Sequence, residues 1–118
     1  MIKKWFSHAS VSLFCSFLAV IPFISCQKIG IENGYFTYEI SPKGKNLGFV
    51  DKTSGTDYLY TDTVSYCAYV VQDGKREHVR SVSLKDDLLH LDFGDNGVTA
   101  KVQIESANDH VILRVVDV

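Results

Sequence analysis

After Gly30 no stretch of this chain carries a helical period; every segment reads as a short strand or as a turn. The clearest strand is Val98–Glu105, in which Val98, Ala100, Val102 and Ile104 face one way and Thr99, Lys101 and Gln103 the other. Tyr35–Ile40 alternates in the same manner, with Phe36, Tyr38 and Ile40 on one face. Further strands are expected at Leu47–Asp51, Asp57–Tyr60, Ser65–Gln72, Arg76–Leu84, Leu88–Phe93 and His110–Val116. Turn-forming clusters separate them: Pro42–Asn46, Lys52–Thr56, Asp73-Gly74, Asp86-Asp87, Gly94–Gly97 and Asn108-Asp109. Short strands with turn signals every eight to twelve residues or so predict an all-β sandwich or barrel. Turns this tight make neighbouring strands antiparallel, and polar/apolar alternation gives each sheet one face in the core and one in water. The expectation is an antiparallel β-sandwich of about eight short strands, spanning 27–118 as a single domain after an N-terminal signal segment.

That segment, 1–26, has the layout of an export signal. Lys3 and Lys4 precede a nearly uncharged apolar run, Val11 to Ile24, which ends at Pro22-Phe23-Ile24-Ser25-Cys26. The run is shorter than the ~20 residues of a membrane-spanning helix, and serines interrupt it. Its end resembles a bacterial lipobox, in which a small residue precedes the cysteine that is diacylated and becomes the new N-terminus. Ser25 and Cys26 match that pattern; Phe23 and Ile24 depart from it. The resemblance implies lipidation at Cys26 and a membrane partner held through that N-terminal lipid, since more than one acyl chain makes anchoring last. Simple cleavage near Cys26, giving a periplasmic or secreted protein, is the alternative. Gln27, Lys28 and Gly30 then read as a short polar tether.

Removing Lys3 and Lys4 lowers the bases from 12 to 10 against 14 acids, a net charge of −4. No basic cluster survives beyond Lys75-Arg76, which sets nucleic acid aside as a partner. The only tryptophan, Trp5, lies in the signal. With Cys15 removed and Cys26 acylated, Cys67 would stand alone as a core thiol; a free Cys26 would instead allow a Cys26–Cys67 bridge.

The segments Glu32–Ile40 and Gly44–Tyr58 resemble the opening of many bacterial carbohydrate-active enzymes, whose N-terminal β-sandwiches are of the galactose-mutarotase-like kind. Those domains begin with an Asn-led apolar strand, a glycine turn, and a strand ending in Asp-Lys-x-Ser/Thr-Gly. Asn33, Gly44, Leu47, Val50, Asp51, Lys52, Gly55 and Asp57 fit, over about a quarter of the chain. The resemblance implies a supporting or glycan-contacting role beside a catalytic domain of a glycosidase or lyase. It carries over no catalytic residue.

Residue by residue, the chemistry-bearing groups read as follows. His78, His90 and His110 sit in different strands or at a strand start, with no H-x-H or HExxH spacing, so no metal site is expected. His90 and Asp92 share a face and read as an outer polar stripe. Asp86-Asp87, Asp92 and Asp95 cluster near two turns; paired carboxylates can hydrolyse glycosides, but adjacent aspartates in tight turns are solvated turn formers. No catalytic residue and no cofactor is assigned. Tyr58, Tyr60, Tyr66 and Tyr69 lie close along the chain, and Tyr58 and Tyr60 are the candidates for glycan contact, set against partial burial as ordinary strand tyrosines.

The last strand, His110–Val116, is apolar on both faces, with only Arg114 polar among Val111–Val116. Such a strand expects cover on both faces. The expectation is either a central strand or the uncovered end of a longer protein. Two functions follow: a non-catalytic exported module that supports a catalytic domain or contacts glycan, or a small structural or interaction lipoprotein of the cell envelope.

Overall fold

The computed structural model describes residues 27–60 and 62–118. The signal segment and Cys26 lie outside the described residues. Among the described residues nine strands run in chain order: β1 Ile29–Glu32, β2 Phe36–Ile40, β3 Asn46–Asp51, β4 Tyr69–Gln72, β5 Lys75–His78, β6 Ser81–Lys85, β7 Leu88–Asp92, β8 Thr99–Ser106 and β9 Val111–Asp117. They form three antiparallel sheets ordered β1-β2-β3, β4-β5 and β6-β7-β8-β9. Every pairing joins sequential strands, as short turns require. The all-β expectation holds, with sandwich-like packing.

Four local readings change. Gly30 is not tether: with Ile29 it begins β1, which pairs with β2 from Ile29↔Ile40 to Glu32↔Thr37. Asp57–Tyr60 is not a strand; it keeps a single bridge, Val50↔Asp57. Of Ser65–Gln72 only Tyr69–Gln72 is strand, so Cys67 lies before β4 rather than in mid-strand. Arg76–Leu84 divides into β5 and β6. Val79 N–H donates to Ala68 O (3.0 Å) and Arg80 N–H to Asp92 O (2.7 Å), so the chain leaves one sheet and joins another between these residues. Strands that switch sheets make such corners.

The core lies between the first and third sheets. Ile29, Ile31 and Ile40 come from one side, Val82, Leu89, Leu91, Ala100 and Val102 from the other, with Val79 and Phe93 supplied by the connections after β5 and β7. Leu89 and Leu91 face Val102 and Ala100 across the β7–β8 ladder, so the alternation read in Val98–Glu105 does point its apolar residues inward.

The β2–β3 turn ties all three sheets together. Ser41 N–H donates to Lys45 O (2.8 Å), and Gly44 N–H to Ser41 O (2.9 Å). From this turn, Gly44 O accepts Cys67 N–H and Pro42 O accepts Val82 N–H, each at 2.8 Å. Gly44 has φ +83°, and its Cα lies so close to the fully buried Val79 that a β-carbon there would overlap Val79 Cγ1.

Strand β9 is an edge. Among the described residues it pairs only with β8, from Ser106↔Val111 to Lys101↔Asp117, with a bulge between Lys101 and Val102 on the β8 side that leaves Val116 as the extra residue. Leu113 and Val115 face the inside. The bulge resets the alternation, so Asp117 lies outward beside Lys101 (3.2 Å) and Val118 returns to the inner side. Leu113, Val115 and Val118 are nevertheless 50%, 61% and 81% exposed. Ile112 and Val116 are exposed as well, so among the described residues the cover expected on both faces of this strand is missing, and its outer edge is unpaired.

Candidate functional site

Where β9 outruns the opposite sheet, an open apolar trough of about 350 Å³ results. Leu113, Val115 and Val118 form one wall, Tyr38 and Ile40 another, and Leu89, Leu91 and Val102 the floor, with Cys67 and Val70 at one end. Its polar groups are few. Tyr38 Oη donates to Asn46 Oδ1 (2.5 Å), and Asn46 Nδ2 donates to Ser65 Oγ (3.0 Å). Burial pushes the Tyr38 phenol up to about 12, with a smaller contribution from Cys67. Burial also pushes the Cys67 thiol up, partly countered by a backbone hydrogen bond. A thiol shifted this way is a poor nucleophile at neutral pH. The trough can take apolar groups or a strand; its own residues offer no acid–base pair.

The four tyrosines read together in the sequence part company. Tyr58 and Tyr60 are 65% and 70% exposed in the segment after β3. That segment is anchored rather than loose: Asp57 Oδ1 accepts Phe49 N–H (3.0 Å) and Leu59 N–H (2.9 Å), and Tyr58 N–H donates to Phe49 O (2.8 Å). The two amide donors hold the Asp57 carboxyl below its ordinary value. Tyr66 instead stacks on His78, ring centroids 3.8 Å apart, while His78 Nδ1 lies 2.8 Å from Val79 O. Tyr69 carries the Arg76 guanidinium 4.2 Å above its ring. The signal for the Tyr69 contact was the Asp73-Gly74 hairpin, which sets Val71 opposite Arg76 and so brings Arg76 beside Tyr69; Tyr66 lies before β4, outside that ladder.

The residues of the Asp-Lys-x-Ser-Gly motif do structural work. Asp51 accepts Thr53 N–H (2.8 Å) and the Ser54 hydroxyl (3.0 Å), and these bonds lower its carboxyl from the ordinary value. Lys52 Nζ donates to Asn33 O (2.6 Å) and Glu32 Oε2 (3.0 Å), tying the end of β3 to the β1–β2 turn. Asn33 Oδ1 in turn accepts the N–H groups of Tyr35 and Phe36 at 2.8 and 3.0 Å.

His90 and Asp92 lie on the outer face of the large sheet, in a shallow polar depression with Ser81, Ser83, Thr99 and Lys101. Asp86 and Asp87, at φ 52° and 59°, make the tight turn between β6 and β7. His110 Nδ1 and Asp109 Oδ1 lie 2.6 Å apart on the surface before β9, which lowers the Asp109 carboxyl. Among the described residues no group of three His, Cys, Asp or Glu stands close enough to hold a metal ion. No family model matches the chain, and neither a curated protein nor a solved structure does.

Proposed function

We propose that this chain is a non-catalytic β-sandwich module of an exported protein that contacts carbohydrate, and that Tyr58 and Tyr60 make the contact. The observation that carries this reading is the pair of exposed tyrosines on a segment pinned to β3 by Asp57. Aromatic rings offer a sugar a flat apolar face with a hydroxyl at its rim. A pinned segment loses little freedom on binding, so more of the contact energy appears as affinity. The sequence resemblance of 32–58 to the front of carbohydrate-active enzymes supports the same reading. Export, with lipidation at Cys26, belongs to it, and intact-mass measurement of the protein from its envelope checks that part.

The experiment is retention on a panel of insoluble and gel-embedded polysaccharides. The parent protein is expected to be retarded by at least one of them, and the Tyr58→Ala/Tyr60→Ala protein by none, with unchanged circular dichroism. Equal retardation of both proteins would sink the reading, as would no retardation of the parent. A second reading, an interaction module of the cell envelope, is favoured by the β9 edge, unpaired among the described residues, beside the apolar trough.

A further inference from the structure

We propose that β9 pairs with β9 of a second copy of this chain, edge to edge and antiparallel, joining two four-stranded sheets into one of eight. The inference goes beyond the glycan reading and does not depend on it.

Sheet edges in soluble proteins are guarded by lysines, prolines, short length or covering segments. Strand β3 is covered by the bridge and hydrogen bonds of Asp57 and Tyr58. Strand β6 at the far edge of the large sheet is short, with serines and Lys85. Strand β9 is seven residues long, reads Val-Ile-Leu-Arg-Val-Val-Asp and has neither lysine nor proline. Among the described residues, no backbone hydrogen bond from 111–117 goes anywhere but to β8.

Charge selects the occupant and the register. On the outer face Arg114 pairs with Glu105 (3.2 Å) and Asp117 with Lys101 (3.2 Å). A register centred on Arg114 would set it against the other copy's Arg114, and like charges directly opposite repel. Centring the pair between Val115 and Val116 instead sets Arg114 opposite the second copy's Asp117, and the two-fold axis makes this happen twice. Each row then reads Gln103, Arg114, Asp117, Lys101 across four strands, and Glu105, diagonal to Arg114, extends the alternation of signs through its ion pair with it. The bulge makes this arrangement work. Without it Asp117 and Arg114 would lie on opposite faces, whereas with it both lie outward. In the same register Leu113 meets the second copy's Val118, both on the inner side, so the two troughs become continuous. The outer strands of the joined sheet are then β6 and its copy, whose guarded edges end the assembly at two.

The test is sedimentation of the purified protein and of two charge-reversed variants. The parent is expected to dimerise, and Arg114→Asp and Asp117→Arg each to self-associate about tenfold more weakly, since each alone sets like charges opposite twice. Mixed in equal amounts, the two variants restore opposite charges in both rows, and the dimer returns. A parent that stays monomeric, variants that dimerise like the parent, or a mixture that stays monomeric would each overturn the proposal. Should either variant fail to fold, disulfide cross-linking decides. In a Cys67→Ser background, Leu113→Cys mixed with Val118→Cys should form cross-linked pairs, and neither alone should, because like positions lie far apart in this register. Cross-linking of either variant with itself, or none in the mixture, would equally refute it.

Discussion

Replacing Gly44 by alanine tests how the three sheets are held together. Two separate costs are expected. A β-carbon at φ +83° is disfavoured by about 1–2 kcal/mol. The second cost is steric: the new methyl would overlap Val79 Cγ1 and lie 3.4 Å from Val82 Cγ2. Val79 is fully buried and branched at Cβ, so it can neither swing out nor change rotamer cheaply. Overpacking of this kind costs about 1–3 kcal/mol. The sum, about 2–5 kcal/mol, is a large share of the ~5–10 kcal/mol expected for a domain of this size. Gly74 is the control. Its φ is +76°, yet nothing lies within 4 Å of where its β-carbon would be, so Gly74→Ala should show the backbone cost alone. Urea unfolding followed by far-UV circular dichroism measures both. With a slope near 1 kcal/mol per molar, the Gly44→Ala midpoint should fall by roughly 2–5 M and the Gly74→Ala midpoint by roughly 1–2 M. In a Val79→Ala background the steric part should vanish, leaving a coupling of about 1–3 kcal/mol. Equal losses for the two glycine variants, or no coupling to Val79, would refute the argument that this turn is wedged against the core.

Val102→Asp places a carboxylate on the floor of the trough, opposite Leu89. The open side hydrates it in part, so the expected loss is several kcal/mol rather than the full cost of an interior charge; an unchanged melting temperature would show that β8 faces the other way. Stability should also fall in alkali. Tyr38 is raised to about 12 from 10.0 in the folded chain, so the unfolded chain loses its proton first, and the contribution is whole below pH 10 and disappears as pH rises toward 12. Cys67, raised by the same burial, adds in the same direction. Because Tyr38 is only half buried, the loss is on the order of 1 kcal/mol after screening, and Tyr38→Phe should flatten the profile between pH 10 and 12.

The strand and turn pattern was readable because alternation and turn chemistry are local. Ala100, Val102 and Ile104 show their inward face in spacing alone, and Asp73-Gly74 takes the positive φ values its residue types suggest. What escaped depended on which groups pair rather than on the local pattern of residues. Ile29-Gly-Ile-Glu offers just two apolar residues, too few to register as alternation, and becomes a strand by pairing with β2. Asp57–Tyr60 alternates but is held by a carboxylate in place of a ladder, which periodicity does not distinguish. The sheet change at Val79-Arg80 leaves the extended period unbroken, so only the destinations of the two N–H groups, Ala68 and Asp92, reveal it. The trough was legible in one respect: the apolar residues on both sides of β9 call for cover on both faces. The stacking of Tyr66 on His78 was not legible, because Tyr66 lies before β4, outside the ladder that the Asp73-Gly74 turn defines.

The division of the core between β1–β2 and β6–β8 has a consequence for the order in which the chain is made. Synthesis releases Ile29, Ile31 and Ile40 first, while the residues that bury them, from Val82 to Val102, follow some forty to seventy positions later. The hairpins of the large sheet form between near neighbours and need little loop closure. The first sheet has its hydrogen bonds early but no apolar cover, so during that interval it is a pair of turns with an exposed oily side. Its docking waits on the arrival of β8, and a pause in translation between the two would leave the nascent chain at its most adhesive.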